Sequence, residues 1–128
     1  MIEVYTDAAT AGNPGPSAAG VYVKDFHRFS KFLGNCSNHE AEFLAVIHAL
    51  EYCKEHFRGE IISIRSDSQL VVQSADSQYC KNPAYSPFLD QILSLHSHFA
   101  YVFYKWIPDK ENKHADELAR IELKKNQD

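Results

Sequence analysis

Four carboxylates in this chain of 128 residues sit in surroundings that call for an explanation. Asp7 ends the strand-like run "VYTD" and Asp67 ends "IRSD". Glu42 falls in an Ala- and Leu-rich stretch that reads as a helix. Its stacked neighbours there are Ala45, Val46, Ala49 and Cys53, so it should point inward from the first turn. Asp116 shares a helical face with Ala119 and Leu123. A carboxylate turned toward a core is costly unless something pairs with it. The helix dipole returns only about 0.3–1 kcal/mol. Each acid alone has an ordinary alternative: Asp7 and Asp67 as turn-starting residues, Glu42 as a dipole-favoured helix acid, Asp116 as a solvated charge. Converging on one place, four carboxylates would repel strongly unless hard divalent cations stood between them. Mg²⁺ prefers oxygen ligands and retains several waters. Two such ions about 3.5–4 Å apart form a clamp for phosphoryl transfer.

The elements that must position these acids follow from pattern and punctuation. Residues 2–7, 18–25, 28–34, 60–66 and 100–106 read as strands, the second and third joined tightly around His27. Residues 40–56 form a strong helix with Ser37 or Asn38 as N-cap, and residues 68–76 a short one. A loop runs from Tyr79 to Tyr85. Residues 86–98 form a helix with Ser86 as cap and Pro87 at its first position, and residues 110–125 close the chain as a helix. The order describes an α/β fold, a mixed sheet flanked by helices. If the first and fourth strands are parallel neighbours, Asp7 and Asp67 share the carboxyl edge of the sheet, where open α/β folds place their sites. Trp106 reads as core at a strand end.

Composition narrows the class. Apolar residues make up 45%, which suits one globular domain over residues 1–128. No apolar run approaches the roughly 18 residues that would span a bilayer. The acidic Glu3 argues against a signal peptide. Cys36, Cys53 and Cys80 are odd in number and lack CxxC spacing, so they read as reduced thiols of a cytoplasmic protein. The net charge of −4 argues against strong nonspecific binding to nucleic acid, though not against a local site.

Four ordered segments, "YTDAATAGNPGP", "SNHEAEFLAVIHAL", "IRSDSQLV" and "WIPDKENKHADELAR", together resemble type 1 ribonuclease H. The resemblance covers nearly the whole chain. It implies a ribonuclease H-like fold with a five-stranded mixed sheet flanked by helices. It also implies a sequence-nonspecific, metal-dependent endonuclease that cleaves the RNA strand of RNA–DNA hybrids, leaving 5′-phosphate and 3′-hydroxyl ends. Its partner is the hybrid, and no membrane is involved. The metal-binding catalytic carboxylates fall on Asp7, Glu42, Asp67 and Asp116, holding two Mg²⁺ ions with Mn²⁺ as a substitute. Substrate-binding positions fall on Asn13, Asn38 and Gln69, with Ser37, His39, Lys110 and Lys113 as further candidates. Gly12 and Gly15 remove bulk from the "GNPGP" turn so that backbone and polar groups can approach the nucleic acid.

The chain departs from the family in three ways. The histidine-bearing loop before the last helix is short here, resembling a short-loop bacterial and archaeal-like branch. The basic protrusion is missing, and His39 replaces a common second asparagine. His114 reads as a surface or capping residue, with proton shuttling as the alternative. Two other functions stay open: a catalytically weak or silent nucleic-acid-binding module, and another nuclease or recombinase on the same fold.

Overall fold

The computed structural model describes residues 1–127. Five strands form one sheet in the order β3-β2-β1-β4-β5: β1 (Ile2–Thr10), β2 (Gly15–Val23), β3 (His27–Cys36), β4 (Ile61–Ser66) and β5 (Tyr101–Trp106). β1, β2 and β3 run as an antiparallel meander, and β1, β4 and β5 are parallel. The sheet is therefore mixed, as expected. Alternation along the strands sends Val4, Val21, Val23, Ile62, Ile64 and Val102 to one side, where they are buried with Phe43, Ile47 and Leu50. That side carries α1 (Asn38–His56), α2 (Gln69–Ser77) and α3 (Ser86–Leu95). The other side carries α4 (Lys113–Lys125), which packs on β1, β2 and β3.

Local chemistry sets the helix starts. Ser37 caps α1: its hydroxyl accepts from the Glu40 N–H at 3.2 Å, and Glu40 Oε1 accepts from the Ser37 N–H at 2.8 Å. This reciprocal capping box fixes the first turn, on which Glu42 rides. The Ser68 hydroxyl caps α2 by accepting from the Val71 N–H.

Several boundaries differ from the sequence expectation. Asp7 does not end its strand. The parallel pairing of β1 with β4 stops at Thr6 and Ser66, but pairing with β2 continues through Thr10 and Ser17. Asp7 therefore lies inside β1, opposite Gly20, where one neighbouring strand has just ended. The β2–β3 turn passes through Lys24, Asp25 and Phe26, with Asp25 at φ +71°, and His27 begins β3. Ser86 is the first residue of α3, and no side chain caps that helix. The preceding 3₁₀ turn, Pro83–Tyr85, leads directly into it. α3 stops at Leu95, and His96–His98 tighten into another 3₁₀ turn. The last helix starts later than residue 110. A 3₁₀ turn at Asp109–Glu111 comes first, and Asn112 joins it to α4. Trp106 is not core: it is 44% exposed, because it sits at the free end of an edge strand, and its Nε1–H donates to the Asp67 carbonyl at 3.1 Å.

Candidate active site

The β1 carboxylate is the centre of the acidic group. Asp7 is 6% exposed, and the Ala8 N–H donates to its Oδ1 at 2.9 Å. Asp67 follows β4, the parallel neighbour of β1, and so arrives at the same sheet edge. Glu42 reaches that edge from the first turns of α1. One carboxylate oxygen from each of Asp7, Glu42 and Asp67 lies within 4.8 Å of the others. Asp116 approaches from α4 on the opposite side of the sheet and lines the same cleft. It stands outside the close triad, and its Oδ2 instead receives the Arg120 guanidinium at 3.0 Å. The cleft holds about 710 Å³.

Protonation follows from this crowding. Burial first, then the charges of Asp67 and Asp116, push Asp7 up from 3.8 to about 8. Burial and the charges of Asp7 and Asp67 hold Glu42 well above the usual carboxylate range. Asp67 is raised too, by burial and then by Asp109. The donor set is all carboxylate oxygen, with no histidine or cysteine in the cleft lining, so it fits a hard divalent cation.

A close backbone approach brings α4 to this place. Gly20 faces α4 directly opposite Asp7. A Cβ at Gly20 would stand 2.1 Å from the Ala115 carbonyl oxygen and 2.7 Å from the Ala119 nitrogen. Only glycine lets the helix lie this close to β2. Asn112, 1% exposed, ties the same junction by donating from Nδ2 to the Thr6 carbonyl at 2.8 Å.

Beside the acids, the β1–β2 turn meets the start of α1. Asn13 Oδ1 accepts from the Asn38 N–H at 3.0 Å, and the Thr10 hydroxyl donates to Asn38 Oδ1. Both asparagine oxygens are thus engaged, which leaves their amide NH₂ groups as donors. The turn closes through Gly15, where a Cβ would lie 2.1 Å from the Ala11 carbonyl oxygen. Gln69 opens α2 and is exposed, next to Ser68 and Asp67. Lys110 and Lys113 line the cleft. Ser37 spends its hydroxyl on the helix cap. His39 is exposed and meets Tyr85 edge-on at 5.8 Å between ring centroids. His114 stacks on Tyr22 at 4.4 Å.

Asp109, Glu117 and Arg120 also line the cleft, and sequence reasoning did not select them. Glu117 and Arg120 belong to the α4 turn that carries Asp116. A helical wheel drawn from Asp116 reaches Arg120 at i+4 and could have found it.

The RNase H family model matches residues 1–124. The chain belongs to the RNase H family. This RNase H is 32% identical to ribonuclease H of Escherichia coli, over 94% of this chain and 87% of that one. It is 41% identical to the Enterococcus faecalis protein EbsB, named as a hydrolase, over 98% of this chain and 96% of that one. The fold superposes on RNase H1 of the halophilic archaeon Halobacterium salinarum with a TM-score of 0.89 at 28% identity, covering 97% of this chain and 98% of that one. It superposes on LC11-RNase H1, solved in complex with an RNA/DNA hybrid, with a TM-score of 0.93 at 28% identity, covering both chains fully.

Proposed function

We propose that this RNase H is an endonuclease that cuts the RNA strand of RNA–DNA hybrids, without reading sequence, at a site formed by Asp7, Glu42, Asp67 and Asp116. The observation that carries this reading is the triad of carboxylate oxygens within 4.8 Å of one another, set beside the Asn13–Asn38 junction. Two Mg²⁺ ions, or Mn²⁺ in their place, would supply an activated water and stabilise the leaving oxygen. Asp7, Glu42 and Asp67 would hold these ions, with Asp7 between the other acids and Asp116 contributing from α4. Asp7, pushed up to about 8, carries a proton near neutral pH, so metal binding must displace it and should strengthen as pH rises.

The amide donors of Asn13 and Asn38 would receive phosphate oxygens and 2′-hydroxyls across the shallow minor groove. Gln69 extends that row. Ser37 and His39 lie at the same helix start, and Lys110 and Lys113 attract the backbone on the far side of the cleft. All of these residues lie within the stretch 1–124 that the RNase H family model matches. A cytoplasmic location is supported by three cysteines that form no disulfide, and no helix among the described residues is long and apolar enough to cross a membrane.

The test is incubation of the protein with a labelled RNA–DNA hybrid in Mg²⁺ or Mn²⁺, beside single-stranded RNA and both homoduplexes. The expected result is internal cuts in the hybrid's RNA strand alone, with 3′-hydroxyl and 5′-phosphate ends. Equal cutting of single-stranded RNA, or 2′,3′-cyclic ends, would refute the mechanism. The net charge of −4 favours a second reading, hybrid binding with little or no turnover. Saturable binding without cuts in either metal would select it.

A further inference from the structure

The two faces of the sheet are unequally covered. α4 lies over β1, β2 and β3, and among the described residues no helix packs on the outer side of β4 and β5. Tyr101 and Phe103 project there, 59% and 47% exposed, with ring centroids 4.5 Å apart. Lys105 follows them on the same face, in register with Arg65 on β4. Arg65 in turn pairs with Tyr5 on β1. Its guanidinium lies 5.6 Å from the Tyr5 ring centre, held by Glu3 at 2.7 Å and the Tyr5 hydroxyl at 3.2 Å.

From these features we propose that the open face of β4 and β5 is a platform for a single strand, RNA or DNA, continuing from the hybrid at the active site. This deepens the hybrid-cleaving reading and rests on it. Bases would stack on Phe103 and Tyr101, while Lys105 draws the phosphates. The face is continuous with the catalytic edge. Strand alternation puts Arg65 on the same side as Asp67, two residues or about 7 Å away. Phe103 and Tyr101 follow at about 13 and 20 Å along the strands. A strand leaving the cleft therefore meets Lys105 first and the rings after. The charge is complementary too: Glu3 and Arg65 offset each other in an ion pair at 2.7 Å, which leaves Lys105 as the positive charge beside the rings. Exposed aromatics on a sheet face are the stacking device of single-strand-binding domains, and they tolerate any base. Two large aromatic side chains left in solvent side by side otherwise bury nothing.

The test compares a blunt hybrid with hybrids carrying 5′ or 3′ single-stranded RNA or DNA extensions, cleaved in Mg²⁺ by wild type and by Tyr101→Ala/Phe103→Ala. At least one extension should lower KM about tenfold with kcat unchanged. The double variant should lose that advantage and still cut the blunt hybrid at the wild-type rate. The RNA and DNA extensions separate the two kinds of strand. Anisotropy with a labelled single strand supplies an arm independent of cleavage, in which the variant should bind about tenfold more weakly. Failure to cut the blunt hybrid would refute the cleavage reading and leave this arm to judge the platform. Equal single-strand binding by both proteins, or a KM advantage retained by the variant, would overturn the proposal. A wild-type dimer that becomes monomeric in the variant would overturn it as well, by assigning the face to a second copy of the chain.

Discussion

Replacing Asp7 with Asn should inactivate the protein and, without metal, make it more stable. The second effect follows from the sign of the Asp7 shift. In the folded chain this carboxyl is raised to about 8 by burial and by Asp67 and Asp116. In the unfolded chain it ionises near 4. Between those pH values the unfolded state has released a proton that the folded state keeps, so stability falls as pH rises through the window. At pH 7 the accumulated penalty is about 4 kcal/mol, at about 1.36 kcal/mol per pH unit. Asparagine has nearly the same shape and nothing to ionise. The variant should therefore gain up to about 4 kcal/mol at pH 7, a rise in Tm on the order of 10 °C. Below about pH 4 Asp7 is neutral in both states, and the gap should close. Thermal unfolding followed by circular dichroism in EDTA, from pH 4 to 8, measures it. Saturating Mg²⁺ should narrow the gap from the other side by stabilising wild type alone. A variant no more stable than wild type at pH 7, or a gap of equal size at pH 4, would refute the reasoning. Near wild-type cleavage by the variant would refute the assignment of Asp7.

Three further outcomes are expected. Gly20→Ala places a methyl group against the α4 backbone, with its nearest contact at 2.1 Å. It should cost about 1–3 kcal/mol in denaturant unfolding and lower cleavage by displacing Asp116; a neutral result would mean that α4 has room to move. Lys110→Ala with Lys113→Ala should raise KM with little change in kcat and flatten the salt dependence of hybrid binding by about 1–2 in log–log slope; an unchanged slope would remove both lysines from the backbone contacts. Arg120→Ala breaks an exposed ion pair, so stability should change by less than about 1 kcal/mol. It frees Asp116, so half-maximal cleavage should need less Mg²⁺; an unchanged metal requirement would show that Arg120 does not compete for that carboxylate.

The parts of this site that the sequence made legible are those specified locally. Asp7 and Glu42 sit on, and Asp67 just after, an element whose period is plain from its own residues, and the parallel pairing of β1 with β4 does the rest. The capping box at Ser37 and Glu40 is equally local, although either Ser37 or Asn38 could have been the cap until their hydrogen bonds were seen. Boundaries failed where an element outlasts its own pattern. "AAT" after Asp7 has no apolar alternation, yet β1 continues because β2 supplies its ladder partners. Trp106 failed for a related reason: its type argues for burial, but only the topology shows that β5 is an edge strand.

The fourth carboxylate shows where local reading stops. The resemblance gives Asp116 the same standing as the other three. In the fold it lies outside the close triad yet still acts on Asp7, from a helix that reaches the cleft across the opposite face and pairs it with Arg120. Its position depends on Gly20, a residue that carries no chemistry and looks like any small residue in "SAAGVYV". The requirement for glycine there comes from the backbone at Ala115 and Ala119, far along the chain. Any side chain at position 20 would leave all four acids in the sequence and still alter the site. The close triad can thus be assembled from strand order and one helix start, whereas the distance of the fourth acid is a property of packing between β2 and α4.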